Sequence, residues 1–205
     1  MPETDHSAPA AHEPATGTRL AHLAVAALVA AQLTTGSIMS SPMEGGGGGD
    51  VWFLAHRLVG LGAVGAVALL WWAALVRPGR RAVSPGALFP WFSAGRRAAL
   101  RADALRAARK LRAARLPQAA DTGAALAPAV HGLGLLVVAA VALTGALGWF
   151  GGLEALLALH SALVTVLWAY LGGHVGVALI HELSGEGRLG YMFLARARAR
   201  QGSIR

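Results

Sequence analysis

Four stretches of this chain are almost free of formal charge for twenty residues or more, and nothing else in the sequence constrains the fold as strongly. Leu20 to Met39 contains no Asp, Glu, Lys or Arg. In a helix, about twenty residues at 1.5 Å each cover a hydrocarbon core of roughly 30 Å. Val51 to Val76 is apolar apart from Arg57 and is stopped by Arg77-Pro78; Ala125 to Trp149 and Leu153 to Leu183 follow. In lipid every backbone N–H and C=O needs a partner within the protein, and helices this long meet that condition. The expected fold is therefore all-α, an integral membrane four-helix bundle with spans at about 20–39, 51–76, 125–149 and 153–183. Composition agrees: 55% of residues are hydrophobic and 14% charged, against about 45–50% and about 25% in an ordinary soluble domain. With no cysteine, the chain can form no disulfide, thiolate zinc site, iron–sulfur cluster or C-x-x-C-H haem attachment. Any metal has to be held by histidine, by carboxylate or within a cofactor.

The segments outside the spans differ sharply in charge. Residues 1–18 are rich in Ala, Pro, Thr, Glu and His without a hydrophobic period; they read as a disordered tail and lack the basic start of a signal peptide. Eleven of the eighteen basic residues fall between Arg77 and Arg115, and Asp103 is the only acid among them. The connection 77–124 is thus a long basic loop, with a helix expected over Ser93 to Leu116. The membrane domain runs over 19–194, and a basic tail over 195–205. Sixteen Lys and Arg lie in the loop and the C-terminal region, whereas the connections at 40–50 and 150–154 hold none. Basic loops stay on the cytoplasmic side. This predicts a multi-pass protein of the inner (plasma) membrane with both termini cytoplasmic. It also explains the net charge of +8 through topology and anionic lipid rather than nucleic acid, which is not an expected partner.

Six of the eight histidines lie in or at the ends of the spans: His22, His56, His131, His160, His174 and His181. An ionisable ring in lipid is costly unless it is paired or coordinated. A single one is readily explained by a bond to a helix carbonyl or hydroxyl, but six together are not. His160 and His174 are fourteen residues apart, which is within about 40° of four full turns and about 21 Å along the axis. They share one face of span four at two depths. Span two enters from outside with His56 roughly 8 Å in, level with His160. Span one enters from inside with His22 near its start, level with His174. Two imidazoles facing each other at one depth can hold both axial positions of a haem iron, and a four-helix bundle suits that group. The expectation is two non-covalent b haems, with His22, His56, His160 and His174 as axial iron ligands and no catalytic residue making bonds.

Other residues carry weaker signals. Gly60, Gly62, Gly65, Gly172, Gly173 and Gly176 could clear room for a macrocycle, or could serve ordinary helix packing. Arg57 could meet a haem propionate or snorkel to the headgroups. His131 and His181 could replace His22 as ligand, contact a quinone headgroup, or bond a helix carbonyl. Thr34, Thr144, Ser161 and Thr165 are candidate acceptors for the ligands' free ring nitrogens. A transition-metal transporter or sensor also uses intramembrane imidazole, and a non-catalytic anchor subunit could use it to cross-link helices.

These residues resemble the bacterial di-haem cytochrome b561 family, within the wider group of membrane cytochrome b subunits. The resemblance rests on Thr18-Arg19-Leu20-Ala21-His22, on His56-Arg57-Leu58-Val59-Gly60, on His131-Gly132, and on the closing pattern from His160 through His174-Val175-Gly176-Val177-Ala178-Leu179-Ile180-His181 to Gly185-Glu186-Gly187-Arg188-Leu189. It covers about residues 19–194. It implies an electron-transfer protein or quinone-linked oxidoreductase subunit of a respiratory chain. Its expected partners are the lipid bilayer, the quinone pool or a partner redox protein, and a second copy in a homodimer. His22, His56, His160 and His174 match the family's ligand positions.

Overall fold

The computed structural model describes residues 16–40, 49–76, 84–113, 115 and 119–185. Residues 1–15 of the tail expected over 1–18, the start of the basic loop at 77–83 and the tail at 195–205 lie outside them, and residues 16–18 are helical rather than part of a tail. The chain forms α1 (Thr16–Ile38), α2 (Val51–Val76), a short α3 (Pro85–Leu88), a 3-10 turn (Pro90–Phe92), α4 (Ala94–Arg112), α5 (Ala119–Gly151) and α6 (Glu154–Leu183). Among the described residues there is no strand. Four of these helices are long and apolar enough to cross a bilayer, so the protein is an all-α, four-helix membrane bundle.

Packing explains why the spans are apolar nearly all round. Val29 and Leu33 of α1, Val137 of α5 and Leu167 of α6 form the buried centre, with Val25, Val141, Val164 and Tyr170 packed around it. Most other large apolar side chains face outward: Leu58 is 61% exposed, Leu69 68% and Trp72 63%. A water-soluble domain would bury such a continuous surface, whereas lipid covers it at no cost.

The end of the bundle at the α1–α2 and α5–α6 connections, expected to be the outer one, is closed by local chemistry. Asp50 caps α2, its carboxylate accepting the Phe53 amide at 2.8 Å and the Ser40 amide at 3.1 Å. The first bond satisfies one of the orphan N–H groups at the start of α2, and the second ties the end of α1 to it. Chiefly through the Phe53 amide, these bonds hold the Asp50 carboxyl below the usual carboxylate range. Gly152, in the left-handed region at φ 64°, makes the tight reversal from α5 into α6.

The opposite end, expected to be the inner one, is covered by α3 and α4 of the basic loop. Trp71 of α2 stacks on Phe89 at 5.3 Å between ring centres. At Gly132 the chain of α3 comes so close that a Cβ would lie 2.0 Å from the Leu88 carbonyl oxygen. α5 begins several residues before the expected start of span three and runs through Pro128. A proline there removes an N–H and strains the preceding turn. Asp103, only 4% exposed, supports this stretch from α4: its carboxylate accepts the amides of Ala125 and Leu126 at 2.9 and 3.3 Å and pairs with Arg106. The single acid between Arg77 and Arg115 therefore anchors the basic helix to the membrane domain. Asp103→Ala is expected to lower stability by about 2–3 kcal/mol, the scale for losing hydrogen bonds to a buried charged acceptor. Thermal unfolding in detergent, followed by far-UV circular dichroism, checks this; an unchanged midpoint would remove the anchor role.

Candidate functional site

Two pairs of imidazoles face each other inside the bundle. His22 of α1 and His174 of α6 have ring centres 6.3 Å apart. So do His56 of α2 and His160 of α6. Both pairs join residues far apart in sequence, and both use α6, whose fourteen-residue spacing presents one ring at each level.

The shared separation has a simple chemical meaning. Imidazole nitrogen meets a transition metal at about 2.0 Å and lies about 1.1–1.2 Å from its ring centre, so two rings on opposite sides of one ion have centres about 6.3 Å apart. Two rings at a tetrahedral angle on one ion would be closer, at about 5.1 Å by the same lengths. Among the described residues no group of three or more His, Asp or Glu side chains is arranged to hold a metal ion. The donor set therefore fits a metal whose remaining ligands come from a flat macrocycle.

Hydrogen bonds fix the orientation of the outer pair. His160 Nδ1 lies 2.8 Å from the Val141 carbonyl oxygen, which can only accept, so Nδ1 carries the proton and Nε2 is left as the donor atom. His56 Nδ1 lies 3.0 Å from Thr35 Oγ1. Both rings sit against glycine. A Cβ at Gly145 would come within 2.9 Å of the His160 ring, and one at Gly36 within 3.2 Å of the His56 ring. At the inner level His22 buries Nδ1 without a partner among the described residues. An orphan of this kind costs about 1–3 kcal/mol in an otherwise satisfied core. Tyr170, one turn before His174, lies nearly parallel to its ring at 5.6 Å and donates its hydroxyl to the Val130 carbonyl at 3.3 Å.

The remaining candidates are placed as follows. His131 is exposed; its Nδ1 bonds the Ala127 carbonyl of its own helix at 2.7 Å, and its ring stands edge-on to His174 at 5.6 Å. His181 is buried at the inner end of α6. The Arg57 guanidinium lies 4.6 Å from the Trp149 ring centre and 5.7 Å from that of Phe53, and its Nε is buried without a partner among the described residues. Of the glycines, Gly60 abuts the Gln32 amide and Gly62 abuts Leu28, while Gly65, Gly172, Gly173 and Gly176 meet nothing within 4 Å. Thr34 and Thr144 bond carbonyls of their own helices, and Ser161 and Thr165 are exposed. The hydroxyl that meets His56 is that of Thr35, which was not among the hydroxyls expected from the sequence. Its neighbour Thr34 has the same composition signal, and only the rotation of α1 against α2 separates them. Tyr170 could have been found from its i, i+4 spacing to His174.

The model of one protein family, described as prokaryotic cytochrome b561, matches residues 15–194. No curated protein and no solved structure matches the chain. With that match over most of its length, a bundle of four apolar helices and imidazoles inside it, the chain belongs to the prokaryotic cytochrome b561 family, membrane proteins of electron transport that bind haem b.

Proposed function

We propose that this protein is a di-haem b-type cytochrome that carries electrons across the plasma membrane between a donor and the quinone pool or a partner redox protein. The observation behind this reading is the pair of equal separations, 6.3 Å for His22 with His174 and 6.3 Å for His56 with His160, at which each pair of imidazoles would have room to hold one metal ion. When bound, the haem iron supplies one-electron chemistry, alternating between ferrous and ferric.

The chain's own residues do the rest. Neutral imidazoles add no charge to a centre buried in lipid, which limits the cost of burying it. The Val141 carbonyl orients His160 and keeps Nε2 available for the metal. In the orientation set by the basic loop, His56 and His160 form the outer site and His22 and His174 the inner one. Arg57 follows His56 in α2 with its guanidinium against the Trp149 and Phe53 rings, and it contributes a positive charge suited to a propionate carboxylate. His131, next to His174, is placed to meet a quinone headgroup or to act as a substitute ligand.

A transition-metal carrier is the poorer reading, because it needs convergent ligands at shorter separations. Haem quantification on the detergent-purified chain distinguishes the two. The expected result is two haems per chain with the reduced-minus-oxidised spectrum of six-coordinate b haems. One haem per chain would overturn the di-haem reading, and colourless protein that binds divalent metal would overturn the function.

A further inference from the structure

We infer that Thr35, with Gln32 and Gly36 beside it, is a positioning residue for the outer site: α1 holds His56 in the tautomer and orientation in which Nε2 is the metal donor. This rests on the ligand assignment proposed above. α1 contributes no ring to the outer pair, so its role there is not visible in the ligands themselves.

Three contacts make the case. The Gln32 side-chain amide donates to the His56 carbonyl oxygen at 2.6 Å, fixing the backbone of the ligand residue from the neighbouring helix. A Cβ at position 36 would press on the His56 ring, so Gly36 lets α1 approach close enough for the other two contacts. Thr35, 8% exposed, lies within 2.8 Å of the Ala31 carbonyl and 3.2 Å of the Gln32 carbonyl. A hydroxyl has one proton, and here it goes to those carbonyls. Its oxygen can then only accept from His56 Nδ1, 3.0 Å away. The ring must carry its proton on Nδ1 and present Nε2 bare. Gln32, Thr35 and Gly36 span an arc of about 100° around the α1 axis at about 100° per residue, so one face of the helix supplies the whole clamp.

The bond also tunes the site. An imidazole that donates from Nδ1 is a more basic ligand and favours the ferric ion; without the acceptor the ligand weakens. Thr35→Val keeps the shape and removes the acceptor. It is expected to lower outer-site haem affinity roughly tenfold, as loss of a ligand's hydrogen-bond partner generally does, and to shift the outer midpoint potential upward. The inner haem should be unmoved and so reports that the bundle is folded. Thr35→Ser restores the oxygen and is expected to restore both values. Thr35→Ala serves the same purpose as Thr35→Val if the latter loads neither site.

Spectroelectrochemical titration and haem quantification of these variants beside His56→Ala give the reading. If His56→Ala loses one haem while Thr35→Val and Thr35→Ala keep the wild-type affinity and potential, the positioning role is wrong and the ligand assignment stands. A serine variant that behaves like the valine one also overturns the role. If His56→Ala keeps both haems, the ligand assignment itself has failed, and the inference fails with it.

Discussion

His174→Ala is expected to lose one haem and keep the other, and His56→Ala to do the same at the opposite level, so that the double variant is colourless. Each substitution would remove one of the two imidazoles proposed to hold the group at that level. One imidazole would be left to hold it, and its former partner's space becomes a cavity between the helices. Truncating a buried side chain costs about 2–5 kcal/mol through lost contacts alone, so the helix pair at that level loosens while the other level, about 21 Å away by helical rise, does not. Haem per chain should fall from about two to about one in each single variant, on the two-site geometry that the facing rings imply. The expected loss in His174→Ala carries an internal complication that can be resolved. His131 stands edge-on to His174 at 5.6 Å and could swing into the gap. A second variant, His174→Ala with His131→Ala, separates the cases: a haem present in the single variant and absent in the double would assign substitution to His131. Full haem retention in His56→Ala and in the His174→Ala, His131→Ala variant would sink the ligand pairs.

Gly145→Val is expected to empty the outer site while leaving the inner one loaded. The first carbon added at this position lies 2.9 Å from both Cε1 and Nδ1 of His160, well inside the ordinary carbon contact of about 3.5–4.0 Å. The ring has to move, and moving it breaks the bond to Val141 and takes Nε2 out of line with His56. A branched side chain adds two more carbons to the same space. Haem per chain should fall from about two to about one, with Gly145→Ala intermediate as about a tenfold loss of affinity at that site, the scale of a displaced ligand support. Equilibrium haem titration of the two variants checks the order. Equal retention in both would mean that His160 has room to yield and that the outer site does not depend on this glycine.

The architecture was legible in the sequence because lipid leaves few choices: four nearly uncharged runs of sufficient length can only be helices, and the distribution of arginines separates the spans. Depth counting from helical rise was enough to expect His22 level with His174 and His56 level with His160, since 1.5 Å per residue is nearly constant in a regular helix. Rotation about the helix axis was not legible. Thr34 and Thr35 differ by about 100° around α1, and which of them meets His56 depends on how α1 packs on α2. The glycines illustrate the same gap. A Cβ at Gly172, Gly173 or Gly176, which flank His174 in sequence, would meet nothing within 4 Å, whereas at Gly36 and Gly145, far in sequence from the histidines they face, it would crowd the His56 and His160 rings. The role of Asp103 was also hidden, because an acid inside a basic run looks solvated until its two amide donors from α5 are seen.

One helix, α1, faces two different neighbours at its two ends: His22 turns toward α6, and thirteen residues later Thr35 turns toward α2. Length change inside this helix is therefore unusually constrained. Inserting or deleting a single residue between His22 and Gln32 would rotate one end against the other by about 100° and shift it by about 1.5 Å, so one of these two contacts would always be spoiled to preserve the other. Variation among related chains should accordingly be absorbed in the connections, with the interval from His22 to Thr35 kept at a fixed count.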